Sequence, residues 1–337
     1  MPWSAKSFFQ RLYTSISDGG PIDIWENEVR SGDTVYVGMS GGVDSSVTAH
    51  LLKSRNLNVE AVFMRNWDTR DERGECPSER DWQDVQKVCR KLDIKCHEVN
   101  LVKEYWNTVF SIALDEYAKG RTPNPDLLCN KEIKFGVLLS EIQRRLGPRD
   151  WFATGHYARS MRIGREAALF RGVDRRKDQS YYLAAVSSGA LDRVIFPLGS
   201  LIKTDDVRRI ARDASLHNAD KEESMGICFV GERRRFDQFL AEYLPQTPGD
   251  IVAHDGRHLG RHQGLFSRTI GQTAGISGWQ DKWYIYAKET ATNRMYAVQN
   301  SKTSLIAAFD NAQFGVAPGQ YLVVYDGDHC LGSAVIS

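Results

Sequence analysis

Hydrophobic positions along the chain follow two periods in turn. Residues 34–37 (Thr-Val-Tyr-Val) form a short apolar run of strand character, and residues 43–53 place Val43, Val47, Leu51 and Leu52 on one helical face. Strand-like segments at 58–63 and 95–101 are each followed by a helical pattern. The first, 79–92, turns Trp82, Val85, Val88 and Leu92 inward, and the second, 102–117, carries several aromatics. An amphipathic helix over 131–146, built on Ile133, Val137, Leu138, Ile142 and Leu146, is closed by Gly147-Pro148 and precedes a strand at 151–158. This alternation predicts a doubly wound, mostly parallel α/β sheet. Residues 163–173 read as a hairpin, and 203–216 as an amphipathic helix that closes the first domain.

From Gly249 the helical period gives way to short alternating runs. A hairpin is expected at 251–261 around Asp255-Gly256, then glycine-rich turns at 269–278, and strands within 283–298, 321–325 and 330–336. The predicted organisation is an N-terminal extension at 1–30 and an α/β domain at 31–219. A small mixed linker domain follows at 220–283, and a β module at 284–337.

Composition narrows the class. A chain of 337 residues has room for roughly two domains of about 150 residues each. No apolar run approaches the roughly 20 residues of a membrane span. The net charge of +1 means that a nucleic-acid partner must be held by local patches and not by a globally basic surface. The six cysteines contain no CxxC pair, and the spacing from Cys89 to Cys96-His97 is wrong for zinc, so no metal centre is expected. Residues 1–16 carry Lys6 and Arg11, several Ser and Thr, and no acid before Asp18. That composition suits either a transit segment or an amphipathic N-terminal helix.

The chemistry concentrates first at Gly38, Met39, Ser40, Gly41, Gly42, Val43, Asp44 and Ser45. A strand, a glycine turn and a helix start aim free backbone N–H groups and a positive helix end at an anion. Gly41 and Gly42 leave no Cβ in the way. No Lys follows the glycines, so this is not a Walker-type loop, and the spacing does not fit a dinucleotide fingerprint. The run Ser-Gly-Gly-Val-Asp-Ser resembles the pyrophosphate loop of the ATP pyrophosphatases, which implies cleavage of ATP between its α and β phosphates.

Further along, Pro123 and Pro125 flank Asn124 and force an extended segment leading to Asp126. Cys129 follows at i+3, on the same face if a helix starts near Asp126. That helix start would lower the Cys129 pKa while the Asp126 carboxylate would oppose the shift. The alternative is that Asp126 caps the helix and Cys129 only packs. Gly155 and His156 end the strand at 151–158. Arg175, Arg176 and Lys177, followed by Asp178, Gln179, Tyr181 and Tyr182, combine cations with rings that can stack on bases. Cys228 sits in an apolar run between Gly226 and Gly231, with Arg233, Arg234 and Arg235 immediately after.

Taken together, these motifs resemble the tRNA-specific 2-thiouridylases. The resemblance runs from about residue 37 to residue 336. It rests on the loop, on Thr122-Pro123-Asn124-Pro125-Asp126 with Cys129, on Thr154-Gly155-His156-Tyr157-Ala158 and on Lys177-Asp178-Gln179-Ser180. Phe196-Pro197-Leu198-Gly199 and Glu223-Ser224-Met225-Gly226-Ile227-Cys228-Phe229 complete it. Asn66-Trp67-Asp68 and Lys103-Glu104-Tyr105-Trp106 look most like the mitochondrial eukaryotic branch, which favours the transit reading of the N-terminus. The resemblance implies ATP and Mg²⁺ at the loop, with adenine near Met64 and Gly155. It implies adenylation of the wobble uridine of tRNA at O2 and its replacement by sulfur. Cys228 would carry that sulfur as a persulfide received from a sulfur-donor protein, either a persulfide carrier or a cysteine desulfurase relay. Cys129 would resolve it through a transient disulfide, and Asp126 would act as acid/base. Asn124, Pro125, His156, Lys177, Asp178, Gln179 and Gln320 match positions that contact the target base or the tRNA.

One departure stands out. Family members carry more β-strand and an Arg-Tyr pair between the strand at 295–298 and Val316-Ala317-Pro318-Gly319-Gln320, where this chain has only residues 299–315. A shortened barrel is therefore expected. Two other readings remain at this point: a pyrophosphatase-loop ligase or amidotransferase acting on a small metabolite, and a non-catalytic tRNA-binding paralogue.

Overall fold

The structure, a computed structural model, describes residues 20–67, 77–144, 150–222, 236–279, 281–299 and 317–336. Fourteen strands follow in chain order among the described residues: β1 (Ile22–Asp23), β2 (Thr34–Met39), β3 (Asn58–Arg65), β4 (Lys95–Asn100), β5 (Trp151–Thr154), β6 (Ala158–Ile163) and β7 (Glu166–Arg171), then β8 (Val194–Ile195), β9 (Gly249–Ala253), β10 (His258–His262), β11 (Trp283–Glu289), β12 (Arg294–Gln299), β13 (Tyr321–Asp326) and β14 (His329–Val335). The chain divides into two compact units. One comprises 1–105, 126–231 and 323–333, and the other 106–125, 232–322 and 334–337.

The first unit is organised by a parallel sheet in the order β4-β3-β2-β5-β8. The order reverses at β2, whose neighbours β3 and β5 come later in the chain on opposite sides. That is the switch point at which open α/β sheets bind ligands. Strand β2 alternates half-buried Thr34, Tyr36 and Gly38 with buried Val35, Val37 and Met39. The helix Val43–Ser54 covers it with Val47, Ala49 and Leu52, all at 0% exposure. The helix Pro77–Leu92 buries Val85 and Val88 as its pattern predicts, while Trp82 is half-buried with its ring 5.4 Å from Phe63. Phe152 of β5 is 1% exposed and meets the ring of Phe135 edge-on at 5.9 Å.

Several boundaries differ from the sequence reading. The hairpin expected at 163–173 is β6–β7, paired from Ala158↔Arg171 to Ile163↔Glu166. Its turn is Gly164-Arg165, where Gly164 adopts φ +59°, and the strand predicted at 151–158 breaks at residues 155–157 to start it. The extension expected at 1–30 is shorter. Strand β1 pairs with β6, Ile24 and Trp25 are buried, and Glu28 binds Arg162 at 2.8 Å, so residues 22–28 belong to the folded unit. Residues 1–19 lie outside the described residues. The helices expected at 102–117 and 131–146 each contain a π-helical stretch, Trp106–Phe110 and Cys129–Leu138. A period of 3.6 could not register that change of pitch.

In the second unit, β10-β9-β12-β11 make one sheet around Ile251, Ile285, Met295 and Ala297. The boundary expected at 283/284 falls inside this sheet, because β12 returns to pair with β9 in parallel. The same unit holds the segment that leads to Asn124. Lys288 Nζ donates to Gly120 O (2.9 Å), Thr122 N to Pro318 O (2.8 Å) and Gln320 Nε2 to Thr122 O (2.7 Å). Burial draws the Lys288 pKa down to about 8. Strands β14 and β13 extend the β1-β6-β7 sheet, with Cys330 opposite Leu169. The stretch at 299–315, expected to be shortened, falls, apart from Gln299, outside the described residues.

The Phe152 ring carries the sheet-to-helix packing behind the switch point. Phe152→Ala should cost about 3–5 kcal/mol of stability, read as a lower urea midpoint with unchanged slope.

Candidate functional site

The glycine turn after β2 is built as the sequence implies. Gly41 adopts φ +76°, and a Cβ there would sit 2.7 Å from Asp81 O, so both conformation and space require glycine. Gly42 caps the helix Val43–Ser54 with extended backbone and no side-chain acceptor at the cap. The first-turn N–H groups are therefore left to a ligand. The serines set the shape of the turn. Ser45 Oγ accepts from Ser40 N (3.1 Å) and donates to Gly42 O (3.1 Å), while Ser46 Oγ donates to Gly42 O at 2.9 Å.

Asp44 is the most constrained side chain of the loop. Tyr157 OH donates to its Oδ1 at 2.8 Å and Lys203 Nζ to its Oδ2 at 2.9 Å. The Lys203 side chain is 6% exposed. Its backbone N is held by Asp174 Oδ2 at 3.0 Å, and Asp174 Oδ1 accepts from Arg176 N at 3.1 Å. The loop has no lysine of its own, but the fold delivers one from a later turn. Sequence reasoning missed it because Lys203 opened an expected surface helix. The signal available was a lysine placed before two acids in an otherwise apolar Leu-Gly-Ser-Leu-Ile turn.

Three more partners come from the segment after the helix Arg208–Asp213. Asn218 Nδ2 donates to Gly41 O (3.0 Å) and Ser46 Oγ (2.9 Å). Lys221 Nζ reaches Gly41 O (3.3 Å), Asp81 Oδ1 (2.9 Å) and Asp84 Oδ2 (2.8 Å), and His217 Nε2 lies 3.0 Å from Asp84 Oδ1. Burial alone would raise the Asp84 pKa, but the Lys221 and His217 hydrogen bonds prevail and hold it at about 2.

Met64, near the end of β3, and Gly155, just after β5, lie on either side of β2 at the carboxyl edge of the sheet. Gly38 pairs with Val62 on one side and Thr154 on the other. A Cβ on Gly155 would meet Ser45 N at 2.8 Å, so any side chain there would collide with the loop.

The thiol side begins at the helix Pro125–Leu128, which continues into the π stretch Cys129–Leu138. Cys129 is 3% exposed, and Asn66 Nδ2 lies 3.9 Å from its Sγ. Burial raises the Asp126 pKa against the opposing charge of Lys134. Burial also raises that of Tyr182, with the Asp126 charge second. Asn130 Nδ2 donates to Tyr182 O at 3.0 Å, which ties this helix to the Tyr181-Tyr182 segment. Cys228 lies outside the described residues, as do Cys76 and the three arginines at 233–235.

The residues expected to touch tRNA divide. Lys177 is half-buried beside exposed Arg175 and Arg176. Asp178 accepts from Gly172 N (3.0 Å), Ser180 N (3.1 Å) and Ser180 Oγ (2.9 Å), and Gln179 Oε1 from Tyr157 N (3.0 Å). Both therefore shape the turn that carries the cations, and Gln179 also positions Tyr157 against Asp44. Gln320 binds the carbonyls of Thr122 and Pro123, with Asn124 half-buried and Pro125 buried just beyond. His156 does not meet its expectation. It is 8% exposed, bonded through Nδ1 to Thr154 Oγ1 at 2.8 Å and packed near Phe135 and Phe196, so its ring offers no surface to RNA.

Comparison with known proteins follows this geometry. Residues 33–232 match the tRNA methyl transferase HUP domain family, 237–299 its PRC-barrel domain, and 286–336 the aminomethyltransferase β-barrel domain. Among curated relatives, the tRNA-specific 2-thiouridylase MnmA of Exiguobacterium sibiricum is 42% identical over 353 residues, covering 90% of this chain and 93% of the relative. The protein of that name from Listeria monocytogenes serovar 1/2a is 43% identical, covering 90% of this chain and 94% of its own. The protein of that name from Hahella chejuensis is 43% identical, at 90% and 96%.

The buried imidazole gives a pH prediction. Burial, then the Lys134 charge, pushes the His156 pKa well below its ordinary 6.5. Acid therefore protonates the unfolded chain first, and this contribution to stability, complete above about pH 6.5, falls as pH drops, by at most about 1.4 kcal/mol per unit. His156→Gln should lose that component, so that urea midpoints between about pH 7.5 and about pH 5.5 change less than in wild type.

Proposed function

This chain belongs to the tRNA-specific 2-thiouridylase family, and we propose that it thiolates the wobble uridine of tRNA in two stages. The observation that carries the reading is the pair of grips on Asp44. They place a buried ammonium and a tyrosine hydroxyl beside an anion-binding turn at a switch point. This suits a reaction in which charge builds on a leaving pyrophosphate. A methyl transfer would leave those phosphate-directed amides without a use.

In the first stage ATP lies on Gly38, Met39, Ser40, Gly41, Gly42, Val43, Asp44 and Ser45, with adenine between Met64 and Gly155. Uridine O2 attacks the α-phosphorus, the bond to the bridging oxygen breaks, and pyrophosphate leaves. Asp126, whose raised pKa makes it a better base than an exposed carboxylate, takes the N3 proton. Lys203 is placed to move from Asp44 to the phosphates. Mg²⁺ fits the same place, since Asp44 is the loop's one carboxylate and such ions take one or two carboxylates plus phosphate oxygens. When bound it would neutralise charge on the leaving group.

In the second stage the outer sulfur of a Cys228 persulfide attacks C2 and AMP departs. The Cys129 thiolate then attacks the inner Cys228 sulfur. The S–S bond breaks, its electron pair leaves with the sulfur now on C2, Asp126 returns its proton to N3, and a Cys129–Cys228 disulfide remains. An external thiol returns it to the reduced state, and a sulfur-donor protein recharges Cys228. A wobble base in a single-stranded loop can be splayed into such a pocket without opening a duplex. Arg175, Arg176 and Lys177 meet the tRNA backbone, on a turn braced by Asp178 and Gln179, and Gln320 acts through the segment before Asn124 and Pro125. The acid-free, Lys6- and Arg11-bearing start of the chain supports mitochondrial delivery, which fractionation of a tagged full-length chain would check.

Two outcomes test the scheme. Asp44→Ala, Ser45→Ala and Lys203→Ala should each lower tRNA-dependent AMP formation by about 10²–10³-fold, with melting unchanged in Ser45→Ala and lowered in the two that break the buried ion pair. Near-normal turnover would remove the loop as the ATP site. Cys129→Ser and Cys228→Ser should each abolish 2-thiouridine while tRNA-dependent adenylation continues. Thiolated product from either protein would end that cysteine's assignment.

A further inference from the structure

Asn66 follows directly on β3, at the carboxyl edge of the sheet, and its surroundings leave it little freedom. Arg65 before it is fixed by Glu98 and by Glu79 (3.2 Å), and its carbonyl accepts from Leu101 N at 2.8 Å. Trp67 after it accepts from Ser78 Oγ at 2.8 Å through its backbone oxygen and sets its ring against Tyr105. The amide between them is 9% exposed and points its Nδ2 at Cys129 Sγ, 3.9 Å away. Its Oδ1 is buried without a hydrogen-bond partner among the described residues. A buried amide oxygen left unpaired is costly, and rare where nothing compensates for it. The nitrogen thus faces the thiol while the oxygen faces no protein donor among the described residues.

A primary amide presents N–H to a neighbouring sulfur as a pure donor, and a donor favours the charged form of the group it meets. We propose that Asn66 is a positioning residue for the thiol chemistry, fixing Cys129 Sγ and stabilising its thiolate through the Nδ2–H···S contact. This rests on the reading of Cys129 as the resolving nucleophile. Only its thiolate can attack the inner sulfur of a persulfide, and the thiol is buried, which by itself disfavours the charge. The proposal gives a task to the Asn66-Trp67 segment that the adenylation stage leaves unused. It also separates the two stages, because the hydrogen bonds given above for the loop side chains go to Tyr157, Lys203, Asn218 and the loop's own backbone and not to Asn66.

Substitution at Asn66 discriminates between a structural and an electrostatic role. The test uses the full-length protein, with iodoacetamide alkylation of Cys129 followed across pH by peptide mass spectrometry. Asn66→Ala should raise the apparent thiol pKa by about one unit, so that alkylation and single-turnover sulfur transfer at neutral pH fall about tenfold and recover in alkaline buffer. Asn66→Asp keeps the volume but replaces the donor with a negative charge, and should raise the pKa at least as far, which guards against poor folding of the alanine variant. In both, tRNA-dependent AMP formation should stay at the wild-type level. An unchanged or lowered Cys129 pKa in a folded Asn66→Asp protein overturns the proposal, as does loss of AMP formation in parallel with sulfur transfer. Thiolated tRNA from Cys129→Ser would instead overturn the role of Cys129, a result the alkylation profiles do not depend on.

Discussion

The Asp44 carboxylate, shared between Tyr157 OH and Lys203 Nζ, is the interaction on which the site depends. It joins three stretches far apart in sequence: the helix start after β2, the break between β5 and β6, and the start of the π-helical stretch Lys203–Val207. Each is fixed again from behind. Gln179 exchanges hydrogen bonds with the Tyr157 backbone, and Asp174 holds the Lys203 backbone. A half-buried ion pair of this kind is weak evidence for net stability, because desolvation offsets much of the Coulomb gain. Its effect is geometric. It keeps a cation within reach of the glycine turn without leaving it unpaired while no phosphate is bound.

The phosphate turn is held with equal care from its other face. Asn218 and Lys221 both bind the Gly41 carbonyl, which turns the peptide's acceptor away from the anion side and leaves its donors there. Lys221 in turn is balanced by Asp81 and Asp84, whose helix packs so closely that Gly41 admits no Cβ. A preorganised donor array of this sort lowers the reorganisation needed as charge develops.

Much of this was legible before the fold was known. Periods of two and 3.6 located β2, β3 and the helix Val43–Ser54, because those elements carry buried positions and the burial selects the residue pattern. The loop was legible because glycine, serine and aspartate at that spacing have few other uses. Lys203, Asn218, Lys221 and Asn66 were not, since each acts through a partner more than 60 residues away in sequence. Apart from the apolar run before Lys203, nothing local distinguishes these side chains from solvated ones. Asp178 and Gln179 were legible as important but not as to how. Their neighbours suggested RNA, while their hydrogen bonds go to backbone amides of the same unit. The position of the β6–β7 hairpin was misread because the strand break at residues 155–157 serves the site, where Gly155 lies against the loop, and not the sheet pattern.

The central claim is that the glycine loop activates uridine for sulfur, and the stoichiometry of the reaction tests it most directly. Purified protein, unmodified tRNA, α-labelled ATP and a persulfide donor would be combined, with AMP and 2-thiouridine counted in the same samples. The account predicts equal amounts of the two products, and AMP formation that stops when tRNA is omitted. Persistent 2-thiouridine formation without AMP release, or AMP formation independent of tRNA, would contradict it.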